Sequence, residues 1–217
     1  MKHLKSCLEC GRQSCEKEEQ TYPEFCPAEA MDPHTIEKVR RLYEEDENHR
    51  VSVISAQIED AFYLRYTRVE EIVEFARRMG FHRIGIATCV GLLRESRILA
   101  KILRKNGFEV YGAACKIGSF RKTEVGVPGE NITKTGQIMC NPILQAETLN
   151  RAGTEFNIVM GLCVGHDSLF YKYSEALVTT LVAKDRVLAH NPVGALYQAE
   201  GYYSRLLEDH SWKTETE

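Results

Sequence analysis

The chain has 217 residues, 43% hydrophobic and 27% charged, with a net charge of −3. That length fits one α/β domain with a small appendage, the composition excludes a disordered chain, and the charge leaves no basic field for nucleic acid. The longest apolar runs, Ile84 to Ala87 and Phe156 to Val164, fall far short of a ~20-residue span, so no membrane partner is expected.

Lys2 and Lys5 have no apolar stretch behind them, so the start does not read as a secretory signal and a cytoplasmic protein is expected. Eight cysteines is then a high number. In a reducing compartment such usage points to metal or redox chemistry rather than to disulfides. Four of the eight lie in the first 26 residues; Cys89, Cys115, Cys140 and Cys163 are spread along the rest.

In chain order, residues 1–31 read as a loop-rich module. Leu4, Leu8 and Phe25 are too few for a core, and bound metal can supply the missing folding energy. An α/β domain is expected over 32–212, followed by a polar tail at 213–217. Asp32-Pro33 opens a helix by side-chain capping and a Pro at the first helical position, with Ile36, Val39 and Leu42 on one face. A second helix is expected over Val51 to Leu64. A third starts at the capping box Thr67-Arg68-Val69-Glu70 and ends at Gly80.

Beyond Gly80 short apolar runs alternate with helical ones. Strands are expected at Phe81 to Thr88, Phe108 to Ala114, Phe156 to Leu162 and Leu177 to Ala183. Helices are expected at 90–106, from Asn141-Pro142 to Gly153, from Asp167 to Ala176, and from Asn191-Pro192 to Leu207. The alternation predicts an α/β fold: an open, mostly parallel sheet of about four strands with flanking helices, preceded by the Cys-rich module. A 2-1-3-4 strand order follows by analogy with flavodoxin-like sheets.

The first cysteine set is Cys7-x2-Cys10-x4-Cys15-x10-Cys26. Two thiolates three residues apart grip a metal from one tight turn, and two more complete a tetrahedral set. Zn2+ and an iron–sulfur cluster, 4Fe-4S in type, both suit four thiolates. The second set follows a repeated pattern of glycine, short strand, then Cys89, Cys115 or Cys163. The carboxyl ends of parallel strands form the ligand crevice of such sheets. Cys140, just before the Asn141-Pro142 helix start, is expected at the same edge. These four would hold a second centre or present reactive thiolates, with His166 as proton carrier. Asp167 is either its acid/base partner or a helix cap.

The stretch 116–139 is the longest loop, a candidate lid in which Lys116, Arg121, Lys122 and Lys134 can meet anions. Phosphate-binding glycine motifs, a serine nucleophile elbow and a zincin helix are all missing from the sequence.

Cys7-x2-Cys10, Met139-Cys140-Asn141-Pro142-Ile143, Gly161 to Asp167, and Lys184-Asp185-Arg186-Val187 with His190-Asn191-Pro192 together give a resemblance. The chain resembles a family of uncharacterised cysteine-rich proteins from anaerobic microbes, which carries a domain of unknown function and the label of predicted metal-binding protein. The resemblance implies metal binding and no established reaction. The sequence therefore predicts an iron–sulfur protein with redox or sulfur chemistry at the sheet edge, using an electron-transfer partner or a small anionic or sulfur ligand. The alternative is a zinc-binding structural or sensing module without catalysis.

Overall fold

The structure is a computed structural model that describes residues 5–18 and 21–208; Trp212 and the tail expected at 213–217 lie outside the described residues. The chain divides into two compact units, Met1–Asp60 and Ala61–Glu217. The module expected at 1–31 lies within the first.

In the first unit, two single 3-10 turns at Cys7–Glu9 and Ser14–Glu16 carry three of the early cysteines or their neighbours. Ser6 and Glu9 form a capping box, the Ser6 N–H and hydroxyl donating to the Glu9 carboxylate at 2.6 and 2.9 Å. Helix α1 (Pro33–Leu42) starts as expected: the Thr35 N–H donates to Asp32 Oδ1 at 2.9 Å and Pro33 fills the first turn. Its apolar residues Ile36, Val39 and Leu42 remain exposed. Helix α2 (Asp46–Phe62) begins five residues before the expected Val51. Asp46 and Glu47 sit in its first turn, where acidic groups oppose the helix dipole, and this onset carries no apolar signal.

In the second unit, α3 (Arg68–Met79) has the Thr67–Glu70 capping box and ends on Gly80 at φ +75°. Then come β1 (Arg83–Thr88), α4 (Leu93–Lys105), β2 (Glu109–Ala114), α5 (Pro142–Arg151), β3 (Phe156–Met160), α6 (His166–Tyr173), β4 (Leu177–Val182) and α7 (Val193–Tyr197). All pairings are parallel and the order is β2-β1-β3-β4, the expected arrangement.

Burial follows from that order. The central strand β3 is buried throughout, and β1 is buried after Arg83, because helices cover both faces. Alternating side chains of β1 serve opposite cores. Ile84 and Ile86 pack with Ile72, Val73, Leu99 and Leu103 of α3 and α4. Ala87 packs on the other face with Val159, Ala146, Leu149 and Phe170 of β3, α5 and α6.

One expectation needs correction. The helix expected from Asn191-Pro192 to Leu207 is only the five residues of α7, followed by turns and a 3-10 turn at Ser204–Leu206. None of its residues is buried, so no packed face supports a longer helix. The stretch 116–139 is a loop, as expected; it holds 3-10 turns at Lys122–Val125 and Gly129–Asn131 and is closed by an antiparallel bridge between Arg121 and Ile138.

Candidate functional site

Cys7, Cys10, Cys15 and Cys26 line one cavity of about 340 Å³ in the first unit, together with Tyr22 and Phe25. The local backbone prepares at least one of them for metal. Cys10 Sγ accepts hydrogen bonds from the N–H groups of Gln13 and Arg12, which hold its pKa below the usual thiol value. Gln13 makes this approach in a left-handed conformation, φ +48°. Four soft donors around one cavity suit zinc or an iron–sulfur cluster and disfavour hard cations.

The second set sits at the carboxyl edge of the sheet. With order β2-β1-β3-β4, the chain leaves β1 toward opposite sides for β2 and β3, so the crevice opens at the β1/β3 boundary. The ladder continues past the strands: the Cys115 N–H donates to Thr88 O at 2.8 Å, and the Cys89 N–H to Met160 O at 3.1 Å. Cys89 and Cys115 are thus the next register pair after Thr88 and Ala114. Asn141 caps α5 through its side chain and its N–H donates to Cys115 O at 2.7 Å, which brings Cys140 to the same place. Gln145 of α5 ties the strand ends together, its amide donating to Ala113 O at 2.7 Å and Thr88 O at 3.2 Å.

The thiols form a run. Cys115 is buried and hydrogen-bonds to both Cys89 and Cys140, and its Sγ also accepts from the Val90 N–H at 3.4 Å. Its one S–H is shared between the two neighbouring sulfurs, and with burial added Cys115 is pushed far above the usual thiol range. Its neighbours move the other way. The Cys115 thiol holds Cys89 down to about 4 against partial burial, with help from the Gly91 N–H and Lys184. It likewise holds Cys140 down to about 5, with Lys116 and His166 adding positive charge. The fourth thiol, Cys163, accepts from Arg186 Nη2 at 3.0 Å, which raises the pKa of the guanidinium further.

The fourth ligand-bearing turn is compact. The N–H groups of His166 and Asp167 both donate to Cys163 O, at 2.9 and 3.1 Å, over the left-handed Gly165. Ligand atoms of Cys140, Cys163 and His166 lie within 4.8 Å of one another. Among the described residues no other three such groups do. Asp167 is not the helix cap, because Gly165 holds that position, and Asp167 Oδ1 accepts from the Ser168 N–H at 2.8 Å.

Two cations at this edge were not expected there from sequence. Lys184 and Arg186 follow β4, and Asp185 shapes their loop. Its Oδ1 accepts from the Val187 and Leu188 N–H groups at 2.8 and 2.7 Å, and its own N–H donates to His190 Nδ1 at 3.2 Å. Of the loop cations expected to meet anions, Lys116 stands by Cys140, while Lys122 is engaged with Thr135.

The profile of a family described as "Protein of unknown function (DUF1847)" matches residues 26–181. That span includes Cys26, the four sheet-edge cysteines and His166, and leaves Cys7, Cys10 and Cys15 outside. The uncharacterized protein MJ0455 of Methanocaldococcus jannaschii is 48% identical over 172 residues, 79% of this chain and 88% of that protein. Two crystal structures of Dph2 from Pyrococcus horikoshii, one with a 4Fe-4S cluster, also match, both with TM-score 0.35. They are 21% and 20% identical, and the match covers 65% and 64% of this chain. The chain spans about a third of their length (33% and 32%).

Proposed function

This chain belongs to the DUF1847 family of proteins of unknown function, and on that premise we propose that it is an iron–sulfur protein with redox or sulfur chemistry at its sheet edge. Cys7, Cys10, Cys15 and Cys26 hold the cluster, and the crevice of Cys89, Cys115, Cys140 and Cys163 receives the second reactant. The observation that carries the reading is the run of four thiols set among Lys116, Lys184, Arg186 and His166 at the carboxyl edge.

The cluster, when bound, supplies one-electron chemistry. The cavity supports a cluster over a lone ion. Thiolates on one tetrahedral zinc lie about 3.8 Å apart, given Zn–S bonds of ~2.3 Å. The N-terminal sulfurs surround about 340 Å³ without three of them falling within 4.8 Å of one another.

In the crevice the chain divides its labour. Cys89 and Cys140 present thiolate, the form that ligates metal or attacks sulfur, and Cys115 keeps a proton to give. Lys184 and Arg186 attract an anionic ligand and orient it over the thiols. A small anionic or sulfur compound is therefore the fitting ligand, with an electron-transfer protein as the partner.

The test is purification without oxygen, followed by iron, sulfide and zinc analysis with visible and EPR spectra. Iron and acid-labile sulfide that vanish when Cys7, Cys10, Cys15 and Cys26 are replaced by serine are expected. A colourless protein with one zinc and no sulfide overturns the cluster.

A further inference from the structure

We propose that Cys140, Cys163 and His166 form a mononuclear site for a zinc-class divalent cation, with its fourth position open to an anionic ligand. The proposal deepens the crevice half of the reading above and rests on it.

Three observations carry it. The first is convergence. Ligand atoms from three places in the chain lie within 4.8 Å of one another: Cys140 just ahead of α5, Cys163 beyond β3, and His166 at the start of α6. Two sulfurs on a tetrahedral ion sit about 3.8 Å apart, so the side chains need to move little to share one. The second is an orphan. His166 Nδ1 is buried and has no hydrogen-bond partner. Leaving a buried imidazole nitrogen unpaired costs free energy, and coordination through Nδ1 itself, or a ligand bound against it, removes that cost. Asn141 Nδ2, beside Cys140, is buried and unpartnered as well, a donor ready for a ligand atom at this edge.

The third is the surrounding shell. Metal-bound thiolates are usually steadied by hydrogen bonds from outside the ligand set. Arg186 Nη2 supplies one to Cys163 Sγ at 3.0 Å, and Asp185 with His190 fixes the loop that carries it. Two thiolates and one imidazole suit a borderline or soft ion rather than a calcium- or magnesium-like one. Three protein ligands with a free fourth position is the arrangement of catalytic, not structural, zinc sites. Arg186 and Lys116 make the incoming ligand an anion.

Cys163-x2-His166 also follows the turn geometry that gives Cys-x2-Cys its grip, two donors from one tight turn. This assigns His166 to the metal rather than to proton transfer, and leaves Cys89 and Cys115 as the crevice's free thiol pair.

The experiment is cobalt substitution in the full chain with Cys7, Cys10, Cys15 and Cys26 replaced by serine, so that only the crevice can bind. Circular dichroism confirms that the helices persist. One equivalent of Co2+ with thiolate-to-cobalt charge-transfer absorption is expected. Cys140→Ser or Cys163→Ser removes the band, and His166→Gln weakens binding at least tenfold and shifts the ligand-field bands. Failure of the folded chain to bind cobalt overturns the site. So does a spectrum indifferent to Cys140, Cys163 and His166, or one lost only with Cys89. Because the cluster is tested separately on the unsubstituted chain, either reading can fail alone.

Discussion

Cys89 owes its ionisation to a neighbour more than to its place ahead of a helix. The Cys115 thiol donates to it, and Lys184 and the Gly91 N–H add to the effect, so its pKa falls to about 4 despite partial burial. A lowered thiol pKa means thiolate at every pH above that value. Alkylation of Cys89 should therefore run at a flat rate from pH ~5 to neutrality, whereas an ordinary thiol speeds up toward ~8.5. Replacing Cys115 by Ala removes the principal donor. Peptide-resolved alkylation is then expected to show the Cys89 midpoint climbing toward the ordinary value, and an unmoved midpoint contradicts the donor role. Cys89, Cys115 and Cys163 are legible in the sequence because each follows one of the first three strands, and Cys140 because it precedes an Asn-Pro helix start. Lys184 and Arg186 are not, although they follow the fourth strand by the same rule. No cysteine marks the end of β4, so its edge carries no thiol signal. The Cys163-x2-His166 spacing was equally available and went unread as a ligand pair, because His166 beside Asp167 suggested acid/base chemistry instead.

At the scale of elements, the tightest constraint is between β1, β3 and α5. A Cβ added at Gly85 would stand 1.9 Å from Asn157 Oδ1 and 2.9 Å from Leu149 Cδ1. Asn157 cannot swing aside cheaply. It is fully buried, accepts from Thr154 Oγ1 at 2.8 Å and donates to Ser174 Oγ at 2.9 Å. Gly85→Ala is expected to cost about 1–3 kcal/mol, the usual penalty for overpacking. Gly112 in β2 is the control, since its added Cβ would meet only Ile86 O at 3.7 Å. Gly112→Ala should stay within ~0.5 kcal/mol. Urea unfolding of the two variants checks the pair, and equal midpoints refute the close packing. The same elements show why the sheet was readable and other parts were not. Central strands of a parallel sheet are continuous apolar runs, and glycines or an Asn-Pro pair punctuate them. Their order came from topology rules rather than from any residue. The overlong helix at 193–207 failed because periodicity records only a capacity for helix. Leu196, Tyr197, Tyr202 and Leu207 are exposed, so nothing realises that capacity.

At the scale of the molecule, the two units differ in what holds them. The second has an apolar cluster on each face of its sheet. The first has no such cluster among the described residues, where Ser14, Cys26 and Ile58 are its buried groups. Its early segment consists of short turns with four thiols around one cavity. Among the described residues no helix is long and apolar enough to cross a membrane. Metal binding to such a segment is folding free energy. Removing the metal is therefore expected to act on one unit and spare the other. A chelator should expose the segment around Cys7 to Cys26 to limited proteolysis, while a fragment spanning the sheet, from about Ala61 onward, resists. With Cys140 and Cys163 replaced by serine, so that the sheet edge holds no metal of its own, thermal unfolding should then show the sheet's transition at an unchanged midpoint. Two results contradict this division of stability: protection of the N-terminal segment after complete demetallation, or a single transition in which the sheet falls with it. On the proposed reading the metal-bound sulfurs of Cys7, Cys10, Cys15 and Cys26 carry that difference, and no apolar cluster among the described residues of the first unit stands in for them.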